Sequence, residues 1–189
     1  MPVSAARPSP PPHGLALVID FVNTVDPDEQ AVALADAAGL QAWLAERELL
    51  DPRAHRASEG DRRQAIDLRE ALRDLMLEHN GVVAGRHPYP VLERVARRGK
   101  LSVHFGEAGD PVLKADESGL AGALAALLVP IFESARDGTW ARAKACRAGD
   151  CRWAFYDRSR NRSGVWCDMA VCGNRAKVRA HRLRGSAAD

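Results

Sequence analysis

CRAGDCRWAFYDRSRNRSGVWCDMAVCGNR, residues 146–175, holds all four cysteines of a 189-residue chain. The spacing is Cys146-x4-Cys151, fifteen intervening residues, then Cys167-x4-Cys172. Two short pairs around a hairpin-sized insert suit a tetrahedral four-thiolate zinc site, each pair wrapping one side of the ion. The four-residue loops are longer than the common two-residue knuckle. On spacing alone, unligated core thiols, disulfide pairing and catalytic cysteine chemistry stay open beside the metal.

Local patterning around the cysteines is consistent with a folded finger. Gly149 falls where a tight knuckle can need a positive φ. Residues 152–156 alternate and read as a strand, 157–164 carry turn chemistry, and 165–167 would return as the second strand of a hairpin. Asp168 is placed to cap a helix running through MAVCGNRAKVRAHRLR. Cys172 would then lie near its first turn, where the dipole favours a thiolate. On a wheel of about 100° per residue, Ala176, Ala180 and Leu183 fall on the same side as Cys172. Arg175 and Arg182 line one flank, and Lys177, His181 and Arg184 the far side. Arg179 is the misfit, on the ligand's own face. Such a unit should gain on the order of 10 kcal/mol from its metal, leaving the chain from about Arg142 onward disordered without it. Zinc is favoured over an iron–sulfur cluster because paired knuckles close a tetrahedron. Four thiolates leave no open position for water, so no metal catalysis and no enzyme is expected.

Working outward, the basic residues concentrate at this end. From Arg136 to Asp189 there are thirteen Lys/Arg and five Asp/Glu, a balance of +8, leaving −6 for the remainder of a chain whose net charge is +2. A basic tail on an acidic body fits a polyanionic partner, although a solvated charged surface accounts for charge alone equally well. The opening MPVSAARPSPPPH lacks the apolar run of a secretory signal and reads as a disordered Pro-rich leader, residues 1–13. A cytoplasmic location follows, where reduced thiols suit metal ligation better than disulfides.

Residues 14–138 read as a mainly helical α+β domain with a few short strands. A strand is expected from Ala16 to Asn23. Residues 28–50 look helical, with Val32, Leu40, Trp43 and Leu44 inward and Gly39 as an interruption. A strong helix spans 61–81, capped by Asp61, striped by Ile66, Leu68, Leu72, Leu75 and Met76, and ended by Asn80-Gly81. A shorter helix follows Pro90. Residues 100–105 and 111–115 suggest a hairpin, and 117–136 one apolar helix. Asp137-Gly-Thr is a plausible hinge into a finger domain at 139–189, with treble-clef-like order: knuckle, β-hairpin, helix.

From Cys146 to Arg182 the sequence resembles the CGNR zinc-finger family. The likeness rests on the two cysteine pairs, Phe155-Tyr156-Asp157, Ser159, Asn161, Trp166-Cys167, Met169, Cys172-Gly173-Asn174-Arg175 and Lys177. Upstream, VIDFVNTVD and LQAWLAE resemble the N-terminal domain fused to that finger, described as a stress-induced transcription regulator of bacteria. The resemblance implies zinc on the four cysteines and DNA binding. One departure bears on the strength of nucleic-acid contact: Gly164-Val165 stand where the family carries an Arg-Arg pair.

The expected function is thus a DNA-binding regulator gripping phosphates through Arg158, Arg160, Arg162, Arg175, Lys177, Arg179, Arg182 and Arg184, since guanidinium forks donate in pairs. Each is also readable as a solvated residue, and Arg175 or Asp157 as a structural ion pair; Asn174 is equally readable as satisfying a backbone group near the knuckle. A second possibility is a zinc-stapled protein-interaction module. A third is a small-molecule-sensing or enzymatic N-terminal domain built on Asp20, Asn23, Thr24 and Asp26, although turn and cap chemistry explains those residues more simply. His13, His55, His79, His87 and His104 lack ligand spacing. A homo-oligomer is compatible with the sequence; the effector of the N-terminal domain is not readable from it.

Overall fold

The computed structural model describes residues 10–25, 33–83, 85 and 87–186, without the side chains of 181 and 183–186. Residues 1–9 of the leader, Asp26 and Val32 lie outside the described residues.

Helix α1 (Leu15–Val22) replaces the expected strand. Leu15, Val18, Ile19 and Val22 form an i, i+3, i+4, i+7 stripe, and Phe21 is buried as well. A run this apolar does not by itself distinguish helix from strand. The helix satisfies its backbone internally, whereas a strand here would need a partner ladder along its length. Asn23 ends α1, its N–H on the Ile19 carbonyl at 3.0 Å.

Helix α2 (Ala37–Ala45) is shorter than expected. Its cap, Asp36, accepts from the Gly39 N–H at 2.7 Å. A Cβ at Gly39 would lie 2.5 Å from the Ala33 carbonyl oxygen, so this glycine permits a close backbone approach in the first turn rather than interrupting the helix. Leu40, Trp43 and Leu44 point inward as expected, and the Trp43 ring meets Phe21 at 5.3 Å between centroids. Helix α3 (Glu59–His79) starts earlier than expected, because Ser58 is the cap and Asp61 the third residue of a reciprocal capping box. Leu68, Leu72 and Met76 are buried, with Ile66 and Leu75 half-buried on the flanks. Asn80 and Gly81 (φ 73) end it.

Helix α4 (Tyr89–Arg98) leads into the antiparallel hairpin β1 (Leu101–Phe105) and β2 (Pro111–Ala115), registered Leu101 to Ala115 through Phe105 to Pro111. The apolar stretch that follows is two helices, α5 (Gly119–Ala126) and α6 (Val129–Arg136). Pro130 lacks an N–H to continue the ladder, so the chain restarts there. Gly119–Arg136 is apolar and long enough to cross a bilayer by composition, but Leu120, Leu124, Leu127 and Leu128 are buried in the shared core.

Strand β3 (Ala143–Ala145) pairs antiparallel with β4 (Ala154–Tyr156). This corrects the expected pairing of 152–156 with 165–167: the Cys146–Cys151 knuckle is itself the hairpin turn. The pairing runs on through the Cys146 N–H to the Trp153 carbonyl at 2.8 Å. Ala143, Ala145 and Ala154 belong to the main core, so this hairpin packs as part of the body. Helix α1 reaches it through Asn23, whose Nδ2 donates to the Ala154 carbonyl at 2.9 Å while its Oδ1 accepts from the Ala154 N–H at 2.8 Å. The amide serves as a one-residue strand neighbour to β4. Asn23→Ala should lower unfolding free energy by about 1–3 kcal/mol, as Ala154 loses both partners; urea denaturation measures it.

Candidate metal centre and basic helix

The knuckle is aligned by polar groups of the body donating to finger backbone. Arg73 Nη1 reaches the Arg152 carbonyl at 2.8 Å. Asn80 Nδ2 bridges the carbonyls of Ala145 and Val165, both at 2.8 Å. His79 Nδ1 lies 2.8 Å from the Ala143 carbonyl, with its ring edge-on to Trp140. Burial pushes the His79 pKa below its ordinary value, which favours a neutral imidazole donating this bond. The left-handed residue of the knuckle is Arg152 (φ 55) rather than Gly149, and Arg152 Nη2 is anchored to Asp74 at 3.0 Å.

These contacts bring the four cysteines together. Their sulfurs all lie within 4.8 Å of one another, with Cys151 to Cys167 at 3.6 Å and Cys167 to Cys172 at 3.7 Å. A disulfide needs about 2.05 Å. Zinc–sulfur bonds of about 2.3 Å give a tetrahedron with edges near 3.8 Å, so the observed edges fit an ion at the centre. Cys146, Cys151 and Cys172 are buried and Cys167 half-buried, with Trp153 and Trp166 packed around them. Burial drives the free Cys151 thiol up to about 11 and raises Cys167 further. It also opposes ionisation of Cys172, but the Arg175 guanidinium, 3.3 Å from that sulfur, holds its pKa below the ordinary value. Four sulfurs at tetrahedral spacing form a metal-binding cluster, and a cation at their centre would offset the burial that otherwise keeps Cys151 and Cys167 protonated.

Asp168 caps the next segment as expected, accepting from the N–H groups of Ala170 and Val171 at 2.6 and 3.0 Å. A π-helical turn, Met169–Gly173, carries Cys172 into the cluster, and helix α7 (Asn174–Ser186) continues from it. Cys172, Ala176, Arg179 and Ala180 line a 230 Å3 cleft facing the knuckle. Ala176 is half-buried, but Ala180 stays exposed. Arg179 fits this face because Asp150 of the knuckle faces it at 3.5 Å; Arg175 meets the same carboxylate at 3.8 Å. Asn174 donates to the Ala170 carbonyl at 2.9 Å, serving the backbone beside the knuckle.

Asp157 pairs with Lys144, not Arg175. Lys144 is buried, and its Nζ donates to Asp157 Oδ2 at 2.7 Å and to the carbonyls of Arg162 and Gly164 at 2.5 and 3.0 Å. Asp157 in turn accepts from the N–H groups of Ser159 and Gly164, both at 2.9 Å. Burial opposes its charge, yet Lys144 and Ser159 bring its pKa down to about 2. The pair folds the 157–164 loop back on β3, and beyond the loop the Val165 carbonyl accepts from the Arg147 N–H at 3.1 Å rather than from β4. A Cβ at Gly164 would lie 2.7 Å from Asp157 Oδ1, so the position where the resembled family carries an arginine has no room for a side chain here.

The expected phosphate contacts fall in two groups. Arg158, Arg160 and Arg162 are exposed on the pinned loop, Arg158 lying 5.3 Å over the Tyr156 ring. Lys177 and Arg182 are exposed on α7, while the Arg184 side chain lies outside the described residues. Arg175 and Arg179 are exposed but engaged with the knuckle. Of the suspected sensor residues, Asn23 serves β4 and Thr24 Oγ1 donates to the Phe21 carbonyl at 2.8 Å. Lys144, Arg73 and Asn80 were not foreseen. A lysine between two alanines carries no sign of burial, and Asn80 reads as a helix terminator, a role that hides its second one.

Residues 142–185 match the CGNR zinc finger family. Residues 15–148, most of the chain, match the family described as "Putative stress-induced transcription regulator". No curated protein matches the chain.

Proposed function

The chain belongs to this regulator family, and we propose that it is a bacterial, cytoplasmic, stress-responsive transcription regulator that grips DNA with its metal-folded basic end. The observation that carries the reading is the junction of the four-sulfur cluster with α7, a 13-residue helix displaying cations to solvent. The ion assigned is zinc, whose preference for four thiolates in a closed tetrahedron suits the sulfur spacing. All four positions are filled by protein, so the metal's role is structural and no enzymatic activity is assigned.

The chain's residues divide the work. Arg175 and Arg179 tie α7 to the knuckle through Asp150. Lys144 and Asp157 fix the loop bearing Arg158, Arg160 and Arg162. Those three arginines, with Lys177 and Arg182, are exposed and are the groups assigned to phosphates.

Fluorescence anisotropy on a mixed-sequence duplex tests the reading. Each phosphate contact contributes roughly −0.9 to the slope of log affinity against log salt, so five contacts predict a slope of about −4.5. Arg158→Ala with Arg160→Ala should make the slope shallower by about 2, and Lys177→Ala with Arg182→Ala by a similar amount. An affinity that stays flat from low to moderate salt contradicts the proposal.

A further inference from the structure

Helix α7 has a feature that phosphate contacts alone do not require. Val171 and Val178 are 51% and 50% exposed. They stand seven residues apart, about two helical turns, and both line a shallow groove of about 590 Å3 that runs from the π-helical turn along α7. Asn174 lies between them, and Arg175, Arg179 and Arg182 line the same groove. The surface is therefore an apolar seam bordered by guanidinium groups.

Resting on the DNA-binding reading, we propose that this face enters the major groove of duplex DNA and that Val171 and Val178 contact the 5-methyl groups of thymine. The groove is about 12 Å wide and admits one α-helix, and the thymine methyl is the apolar group it presents. Arg182 beside the seam and Lys177 on the same helix, both exposed and assigned to phosphates, complement the phosphate ridges that wall such a groove. That charge complementarity favours duplex DNA; an acidic amphipathic protein helix is the competing occupant. Asn174 has no assigned part in base reading, because its amide donates to the Ala170 carbonyl.

The experiment uses the full-length, metal-loaded protein and four duplexes of equal length: alternating dA-dT, alternating dA-dU, alternating dG-dC, and dG with 5-methyl-dC. The dA-dU duplex lacks only the methyl groups and should bind about fivefold more weakly than dA-dT. The 5-methyl-dC duplex regains a methyl at the same place in the groove and should bind about fivefold more tightly than dG-dC. The double variant Val171→Ala, Val178→Ala, checked for unchanged metal content, should lose both differences while keeping the wild-type salt slope. Equal wild-type affinity for dA-dT and dA-dU overturns methyl reading and leaves the phosphate grip standing. Binding to none of the four duplexes, or valine-dependent binding to an acidic amphipathic peptide instead, overturns the DNA reading and this inference with it.

Discussion

Removing the metal is expected to unfold the knuckle and α7 while the helical body stays folded. Structural zinc contributes on the order of 10 kcal/mol to the folding of small units of this kind. Helix α7 has 13 residues, and isolated helices shorter than about 12–15 residues are marginal in water. Without the cluster, Cys172 no longer draws the π-helical turn inward, and α7 relies on contacts such as those to Asp150 and the cleft residues. The packing leads us to expect a boundary of unfolding later than the Arg142 read from sequence. Strands β3 and β4 bury Ala143, Ala145 and Ala154 in the main core and are held by Asn23, His79 and Asn80. Hydrogen exchange in the presence of a strong chelator should therefore show lost protection at 147–151 and 166–186, with 143–145 and 154–156 still protected. Cys172→Ser should reproduce that pattern. Lowering the pH should do the same, because protons compete with the metal for the thiolates. Loss of protection throughout α1 to α6 would mean that the body depends on the metal, contrary to the packing described here.

The second large effect concerns the buried pair under the 157–164 loop. Lys144→Ala should cost about 3–5 kcal/mol, because it leaves the Asp157 carboxylate buried without its counter-charge and strips a donor from the carbonyls of Arg162 and Gly164. The pH dependence has a definite sign. The Asp157 pKa falls from 3.8 to about 2 on folding, so the native state holds its proton less tightly than the unfolded chain. The resulting stability, about 2 kcal/mol, is fully present above about pH 4 and is lost as pH falls through about 2. Urea denaturation of wild type and Asp157→Asn over this range checks it. The variant should be weaker at neutral pH, and the gap between the two should close as acid protonates the wild-type carboxyl. A constant gap would mean that Asp157 stabilises the loop by shape alone.

The parts of the fold that sequence reveals are those whose cause is local. Cysteine spacing shows the cluster because each pair is joined by only four residues. The apolar period of α3, the Asn80-Gly81 stop and the β1–β2 hairpin follow for the same reason. Helix α1 is misread as a strand because its residues are apolar in almost every position, which erases the period that separates the two conformations. Val165 meets Arg147 rather than β4, beside a 157–164 loop that is pinned by Lys144 and Asp157. Neither residue's environment can be inferred from its immediate neighbours. Asn23 draws attention as polar, but its partner, Ala154, lies 131 positions along the chain. The misfit of Arg179 on the helical wheel was a usable signal: a cation on the ligand face calls for an acid opposite, and Asp150 within the knuckle sequence is that acid.

The most direct test of a metal-folded basic end is native mass spectrometry of the purified chain, combined with thiol counting before and after denaturation in acid. One zinc ion per chain is predicted, with four cysteines that become reactive only once the ion is released. A chain carrying no metal, whether its sulfurs are joined as two disulfides or remain as four free thiols, would contradict it.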